Sequence, residues 1–439
     1  MNKTLLLSLG LLATLPAYAQ NSPYPAKAVT SPTPVGSAAM AAELPLTLDQ
    51  VWQLAEQANP TLKNTQANLT AAEGLLADTQ GVLWNNPQIF AERVRREVPD
   101  PGFADRTQRE WGVGLTQTLE IAGQQGYRRT AAEQELAALR EMVEETRLQL
   151  RADVEQKFIR VVSLQTRTEM EEGLVKLITE NSAVTRKRFA AGEDTKLDAN
   201  LAEVELGRAR NQIEIVGEQL LQARAELATL LQLPAEKFPA VKGALTINPA
   251  LPYTLDQLLT SAASRPRMRA IDHREQAARN RLGLERAAAY PDVTIGLGSG
   301  REGPGEAREK LVGLSVSVPL PLFRRNATGI GKASADLTQA EIEKQAVGRD
   351  TRARVLALWQ KLDSLRQRVQ RLDQSVLQRL EENQRLATTA YRVGEISLIQ
   401  MLLATRQALD TRREVLDAMT DYALTRSELE QSAGWTGTK

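Results

Sequence analysis

The sequence predicts a mainly α fold with a small β part: long coiled-coil hairpins in two tandem repeats, joined to four β-strands per chain. Three observations predict it. The chain states one pattern twice, from Thr47-Leu48-Asp49-Gln50 and again from Thr254-Leu255-Asp256-Gln257. Each copy closes its long helical run on an aromatic-x-x-Gly-Glu turn, Phe189-Ala190-Ala191-Gly192-Glu193 in the first and Tyr391-Arg392-Val393-Gly394-Glu395 in the second. The prolines, 19 in all, are absent between Pro101 and Pro234 and again after Pro321. An interior proline costs a helix about 3 kcal/mol, so these gaps argue for uninterrupted helices. A duplicated unit of this length, incomplete as a globular domain, belongs to an elongated object.

In chain order, residues 1–19 read as a secretory signal: Lys3 supplies charge, Leu5 to Leu15 a short apolar core, and Ala17-Tyr18-Ala19 a cleavage site. The apolar run falls short of the about 20 residues that a membrane anchor needs. Residues 20–45, rich in Pro, Ala and Ser, form a flexible leader. Repeat 1 is expected over 46–232, a linker over 233–252, repeat 2 over 253–433 and a tail over 434–439. Each repeat opens on a Thr with Gln three residues later, the capping box that satisfies orphan N–H groups at a helix start. The short helices so opened end near Pro60 and Pro266, and second helices run on to about Trp84 and Ala289.

The long helices are expected over about 124–191 and 326–393, each roughly 100 Å long at 1.5 Å per residue. In the second, Leu358, Leu365 and Leu372 alternate with Leu362, Val369 and Val376 as an a/d seam. The first is looser, with Leu136, Leu139, Val143, Leu150, Val154 and Phe158. Gly192 and Gly394 suit the left-handed position past a helix end, and Thr195 and Ser397 suit the next N-cap. Returning helices follow over about 196–232 and 398–432.

Between the helices lie two strand pairs, near 89–121 and 292–321. Trp111, Val113, Leu115 and Leu119 share one face with Gly112, Gly114, Thr116 and Thr118 opposite. Val293, Ile295 and Leu297 oppose Thr294, Gly296 and Gly298, and Val312, Leu314, Val316 and Val318 oppose Gly313, Ser315 and Ser317. Apolar residues on one face with small and polar ones on the other mark a transmembrane β-barrel. The same period fits a half-buried soluble sheet. The export signal and the lack of any second sheet to cover the apolar face favour the membrane. Four strands cannot close alone, and an open edge is forbidden in lipid. Three chains pooling twelve strands in a homotrimer is the natural solution. The links at 98–109 and 299–309 then face outside, and both glycine turns lie at the periplasmic tip.

Composition excludes much else. Lys+Arg 55 against Asp+Glu 54 leaves no basic field for nucleic acid, and 4% aromatics are too few for base-stacking platforms. With no Cys and one histidine, His273, neither thiolate chemistry nor a soft-metal cage is available. His273 reads as a solvated surface residue. Gly298-Ser299-Gly300-Arg301-Glu302-Gly303 matches G-x-G-x-x-G, but Pro304 and Gly305 follow instead of a helix, so it reads as a hairpin loop. No nucleophile–base pair stands out, and neither an enzyme nor a cofactor is expected.

The duplicated architecture and the tip motifs Arg188-Phe189-Ala190-Ala191-Gly192 and Tyr391-Arg392-Val393-Gly394 resemble the TolC-like outer-membrane factors, over about 46–433. The segment Val318-Pro319-Leu320-Pro321-Leu322-Phe323-Arg324-Arg325-Asn326 is similar to the strand-to-helix crossing of their heavy-metal (CzcC-type) branch. The resemblance implies a trimeric exit duct in the outer membrane, working with a periplasmic adaptor protein and an inner-membrane pump. Heavy-metal cations or other small toxic compounds would be the cargo. A multidrug or type I secretion duct shares the fold, and a soluble periplasmic coiled-coil scaffold is the alternative of another class.

The resemblance further implies adaptor contact at the tip, at Gly192, Glu193, Gly394 and Glu395. Some relatives carry aspartates six and nine residues past the second tip glycine, where this chain has Gln400 and Leu403. Six past the first glycine stands Asp198. Asp198 and Gln400 are the candidate gate positions, although Asp198, three residues after Thr195, suits the start of a helix better.

Overall fold

The computed structural model describes residues 45–99, 106–234, 236–247, 251–303, 309–435 and 437. The secretory segment 1–19 and all of the leader but its last residue lie outside the described residues.

The capping boxes form as the sequence requires. Thr47 accepts from Gln50 N and the Gln50 side chain from Thr47 N, opening α1 (Leu48–Ala58). Asn59 then caps α2 (Pro60–Thr79), whose proline sits in the first turn where its missing N–H costs nothing. Thr254 and Gln257 repeat the box at α5 (Leu255–Ala263), followed by α6 (Pro266–Ala287). Both second helices stop short of expectation. In α2 the Thr79 hydroxyl turns back to Leu76 O at 2.7 Å and Gln80 N bonds Ala77 O, tightening the last turn before Gly81.

The long helix of repeat 1, α3, runs unbroken over Gln124–Ala190, and α4 (Lys196–Leu230) returns along it. Its counterpart is not continuous. It divides into α7 (Ala327–Arg371), a π turn over Leu372–Leu377 and α8 (Gln378–Arg392), with α9 (Leu398–Ala433) returning. A π turn holds one residue more than an α turn, so it rotates everything beyond it by about 100°. The seam shows the effect. Leu358, Leu362, Leu365 and Val369 are buried, whereas Val376, inside the turn, is 38% exposed. Proline spacing and heptads are blind to this break.

Each repeat has its own core. Leu46, Val51, Leu62, Val154, Phe158 and Leu227 pack α1, α2, α3 and α4 together, with Leu46 bridging in parallel to Val241. Tyr253, Leu258, Leu362, Tyr422 and Leu429 do the same for α5, α7 and α9. Each fully buried Leu contributes about 1.5–3 kcal/mol.

The strands β1 (Gln88–Val98), β2 (Arg106–Leu119), β3 (Val293–Glu302) and β4 (Glu309–Ser317) form one antiparallel sheet in the order β1-β2-β3-β4. β2 and β3 therefore join the two repeats, and Thr118 Oγ1 lies 3.0 Å from Thr294 Oγ1 across that seam. β2, β3 and β4 reach further toward their links than the apolar alternation indicates. Main-chain pairing continues through polar residues such as Thr107, Arg109, Arg301 and Lys310, because ladder hydrogen bonds do not depend on side-chain polarity. Gly298–Glu302 thus belongs to β3 and is not loop; only Gly303, at φ 108°, turns away. β1 and β4 leave the two sheet edges open.

Candidate functional site

The two hairpin turns lie side by side. At the end of α3, Gly192 takes φ 78°, its N–H bonds Phe189 O at 3.0 Å, and Glu193 N–H bonds Arg188 O at 2.9 Å. At the end of α8, Gly394 takes φ 84° and the same two bonds recur, to Tyr391 O and Ala390 O. Both are Schellman ends, which need a residue without Cβ strain in the left-handed region.

A small core binds one hairpin to the other. Tyr391 and Met401 are buried against Ala202 and Leu398, flanked by Val184, Leu201 and Ile396. The Tyr391 hydroxyl donates to Asp194 Oδ2 at 3.0 Å and lies 2.6 Å from Thr185 Oγ1. Arg188 ties the same carboxylate from the other side, with Nε 3.1 Å from Asp194 Oδ1 and Nη1 donating to Tyr391 O at 3.2 Å. Burial, reinforced by the Asp194 charge, pushes the Tyr391 phenol up, so it stays a neutral donor. Thr185, Asp194 and this use of Arg188 were not foreseen. Their partners lie about two hundred residues away in sequence, and only the aromatic at 391 within the repeated motif hinted at them.

Of the gate positions, Asp198 closes a capping box: Thr195 N donates to its Oδ2 at 3.1 Å and Thr195 Oγ1 lies 2.6 Å from it. Gln400 does the same for Ser397, with Ser397 N donating to its Oε1 at 3.0 Å. Asp198 is half-buried and Gln400 exposed; neither contacts the other hairpin among the described bonds. Near them in the chain, five apolar side chains are open to solvent: Phe189, Leu197, Val393, Ile399 and Leu403.

Away from the tip, not all helix charges are surface charges. Glu171 on α3 is fully buried and takes both Arg413 Nε and Nη2, at 2.8 and 2.7 Å, from α9. Glu145 is buried against Arg265, whose Nη1 also donates to Ser432 O at 2.9 Å. His273 is no free surface residue either: its Nδ1 lies 2.7 Å from Gln134 Oε1, joining α6 to α3.

The two faces of the sheet differ. Residues directly paired across an antiparallel sheet point the same way. One row reads Ile89, Leu115, Leu297, Leu314, and these side chains are exposed. The opposite face carries Gly298, Gly300, Gly313 and Ser315 with Phe90, Val94 and Leu311 among them, and toward the links Glu92, Glu110, Glu302 and Glu309. Glu110 is buried and pairs with Arg96 at 3.1 Å. Among the described residues no helix is long and apolar enough to cross a membrane, and no group of three or more His, Cys, Asp or Glu could hold a metal ion.

An apolar sheet face that no described element covers, carried on paired helical hairpins, defines the class of outer-membrane channel subunits. The model of the outer membrane efflux protein family matches residues 51–232 and 258–435, and the chain belongs to that family. The chain is 26% identical over 377 residues to the cobalt-zinc-cadmium resistance protein CzcC of Cupriavidus metallidurans, covering 85% of this chain and 87% of that one. It is 24% identical over 411 residues to the pyoverdine export outer membrane protein OpmQ of Pseudomonas putida, covering 88% and 84%. The fold is similar to the crystal structure of the outer membrane protein VceC from Vibrio cholerae, at a TM-score of 0.74 and 18% identity over 88% of this chain and 96% of that one. The protein is a channel of the outer membrane and not an enzyme.

Proposed function

We propose that this chain, as a homotrimer, is the passive exit duct of a tripartite efflux assembly, and that its cargo is heavy-metal cations. The observation that carries the cargo is the similarity to a cobalt-zinc-cadmium resistance protein along most of both chains. Carboxylates on the inner face of the sheet, at Glu92, Glu110, Glu302 and Glu309, support it, because a low, unsaturated negative field attracts cations without trapping them. The sparse donor set is what a conduit requires: cargo must leave as readily as it enters.

The partners would be a periplasmic adaptor protein and an inner-membrane pump, which supplies the energy. The solvent-open apolar side chains of Phe189, Leu197, Val393, Ile399 and Leu403 support adaptor docking at the tip, beside Gly192, Glu193, Gly394 and Glu395. Opening is a two-state motion of the tip hairpins, biased by that contact. A ring of three Asp198 carboxylates near the mouth is consistent with the chain's geometry only if each also keeps its capping bonds, since Oδ2 accepts from Thr195 N.

A second reading has its own support. OpmQ, similar over nearly the same share of this chain, is a pyoverdine export protein, so a small molecule other than a metal cation is the competing cargo. The soluble-scaffold reading has no support left. Growth of a deletion strain, with and without plasmid-borne rescue, separates the two cargoes on a panel of heavy metals, dyes, detergents and antibiotics. Rescue-reversible sensitivity to metals alone is expected. Sensitivity confined to organic compounds would overturn the metal reading and leave the duct intact.

A further inference from the structure

The outward face of the sheet changes character within one row. Nearest the helices it is apolar: Ile89, Leu115, Leu297 and Leu314 form one row, and Ala91, Val113, Ser299 and Val312 the next. The row after that reads Arg93, Trp111, Arg301, Lys310, and beyond it Arg95 faces Arg109. Five cations therefore share this face near the links. Among the described residues, the carboxylate with them is Glu97, paired with Arg95 at 3.3 Å. Arg93, Arg109, Arg301 and Lys310 are all exposed, and none is ion-paired among the described residues.

The opposite face at the same level has the reverse sign. Glu92, Glu110, Glu302 and Glu309 lie there, against Arg96. Strand ends that merely met water would have no reason to sort their charges by face.

The level of the cations fixes what they meet. From the Leu115 row to the Trp111 row is four residues, about 13 Å along a strand and roughly 10 Å along the axis of a tilted barrel. Leu119, paired with Val293, lies as far again on the other side, so the Leu115 row is the middle of this face. The distance is close to half of an apolar band about 25 Å tall. A cation on the lipid face costs about 2–4 kcal/mol at the bilayer midplane and almost nothing at the interface, so this row belongs at headgroup depth. Trp111 in the same row is the aromatic that marks this depth. All four strands meet the helices at their other end, so the row lies at the leaflet away from the periplasm.

We infer that Arg93, Arg301 and Lys310, with Arg95 and Arg109 above them, form a binding surface for the phosphorylated glycolipid of the outer leaflet. Its occupant is a lipid A type headgroup, whose phosphates are the anions that this leaflet presents. Guanidinium groups bind phosphate oxygens with two parallel N–H bonds, and four of the five cations are arginines. The inference rests on the outer-membrane location and is independent of cargo and of pump.

The test uses the full chain extracted from membranes in detergent, with binding of Kdo2-lipid A, its dephosphorylated form, phosphatidylglycerol and inorganic phosphate each measured by native mass spectrometry. The wild type is expected to bind Kdo2-lipid A best, less tightly as salt rises. Arg93→Gln/Arg301→Gln/Lys310→Gln is expected to lose about fivefold in affinity per cation removed. Lys332→Gln/Arg352→Gln/Lys361→Gln, three exposed cations of α7, is expected to lose nothing. Should the first variant fail to assemble, Arg301→Gln/Lys310→Gln carries the same expectation at two cations. Equal binding by variant and wild type, equal binding of phosphatidylglycerol, or indifference to dephosphorylation would each overturn the inference.

Discussion

Gly394 and Gly192 hold the same backbone position at the two tips, but their surroundings differ. A Cβ at Gly192 would meet nothing within 4 Å, whereas one at Gly394 would come 3.3 Å from Arg188 Nη1. Ala at either site pays about 1–2 kcal/mol for a left-handed backbone. Gly394→Ala must in addition push the Arg188 guanidinium, which holds Asp194 and Tyr391, by a few tenths of an ångström. Hydrogen exchange of the tip amides is therefore expected to quicken in both variants, and more in Gly394→Ala. Identical exchange in the two would show that Arg188 does not couple the hairpins. Elsewhere a single carboxyl sets a pH dependence. Burial pushes Glu155 up from its ordinary 4.5, only partly offset by the bond from Ser427 Oγ at 2.8 Å. A raised carboxyl favours the folded state most below pH 4.5, and that contribution is lost as pH rises through the folded value. Glu155→Gln, which keeps an acceptor for Ser427, should raise the thermal midpoint at pH 7.5 and leave it unchanged near pH 4. A lower midpoint at pH 7.5 would contradict this assignment.

Between elements, buried ion pairs fix how the two repeats meet. Glu171 and Arg413 join α3 to α9 through two bonds, with the carboxylate fully enclosed. Arg413→Ala strands that charge and is expected to cost about 3 kcal/mol, read as a drop in the thermal midpoint. Glu171→Met/Arg413→Met should recover most of the loss, because no charge is then left unpaired. If the double variant were as unstable as the single one, packing and not charge would be the cause. Such pairs were invisible in the sequence, where Glu171 and Arg413 are two charges among many on helix faces. What was legible was local: capping boxes at Thr47 and Thr254, glycine ends at 192 and 394, and strand faces at 111–119 and 312–317. The π turn at 372–377 and the contact of Tyr391 with Asp194 were not, since both depend on neighbours distant in the chain. Asp198 and Gln400 could be placed by counting from a glycine; the helix-start role of Asp198 was legible from Thr195, whereas that of Gln400 had to be seen.

At the scale of the molecule, the sheet explains the assembly. It has four strands, two open edges and an apolar outward face, so it cannot sit in lipid alone. Its inward face sets glycines and four glutamates among Phe90, Val94, Leu311 and Arg96, and its outward rim is basic. The hairpins hanging from it carry exposed apolar side chains at their far end. These features fit one arrangement: a duct closed by copies of itself, seated in an asymmetric membrane and open to a partner below.

The most direct measurement of that arrangement exploits the absence of cysteine from the chain. Ile89→Cys and Leu314→Cys place one thiol on each edge strand, at the two ends of a single row. Cross-linking intact cells with a short bis-maleimide and resolving the products in SDS should yield dimers and trimers, and nothing larger. Monomer alone, or a ladder running past three, would contradict the closed duct.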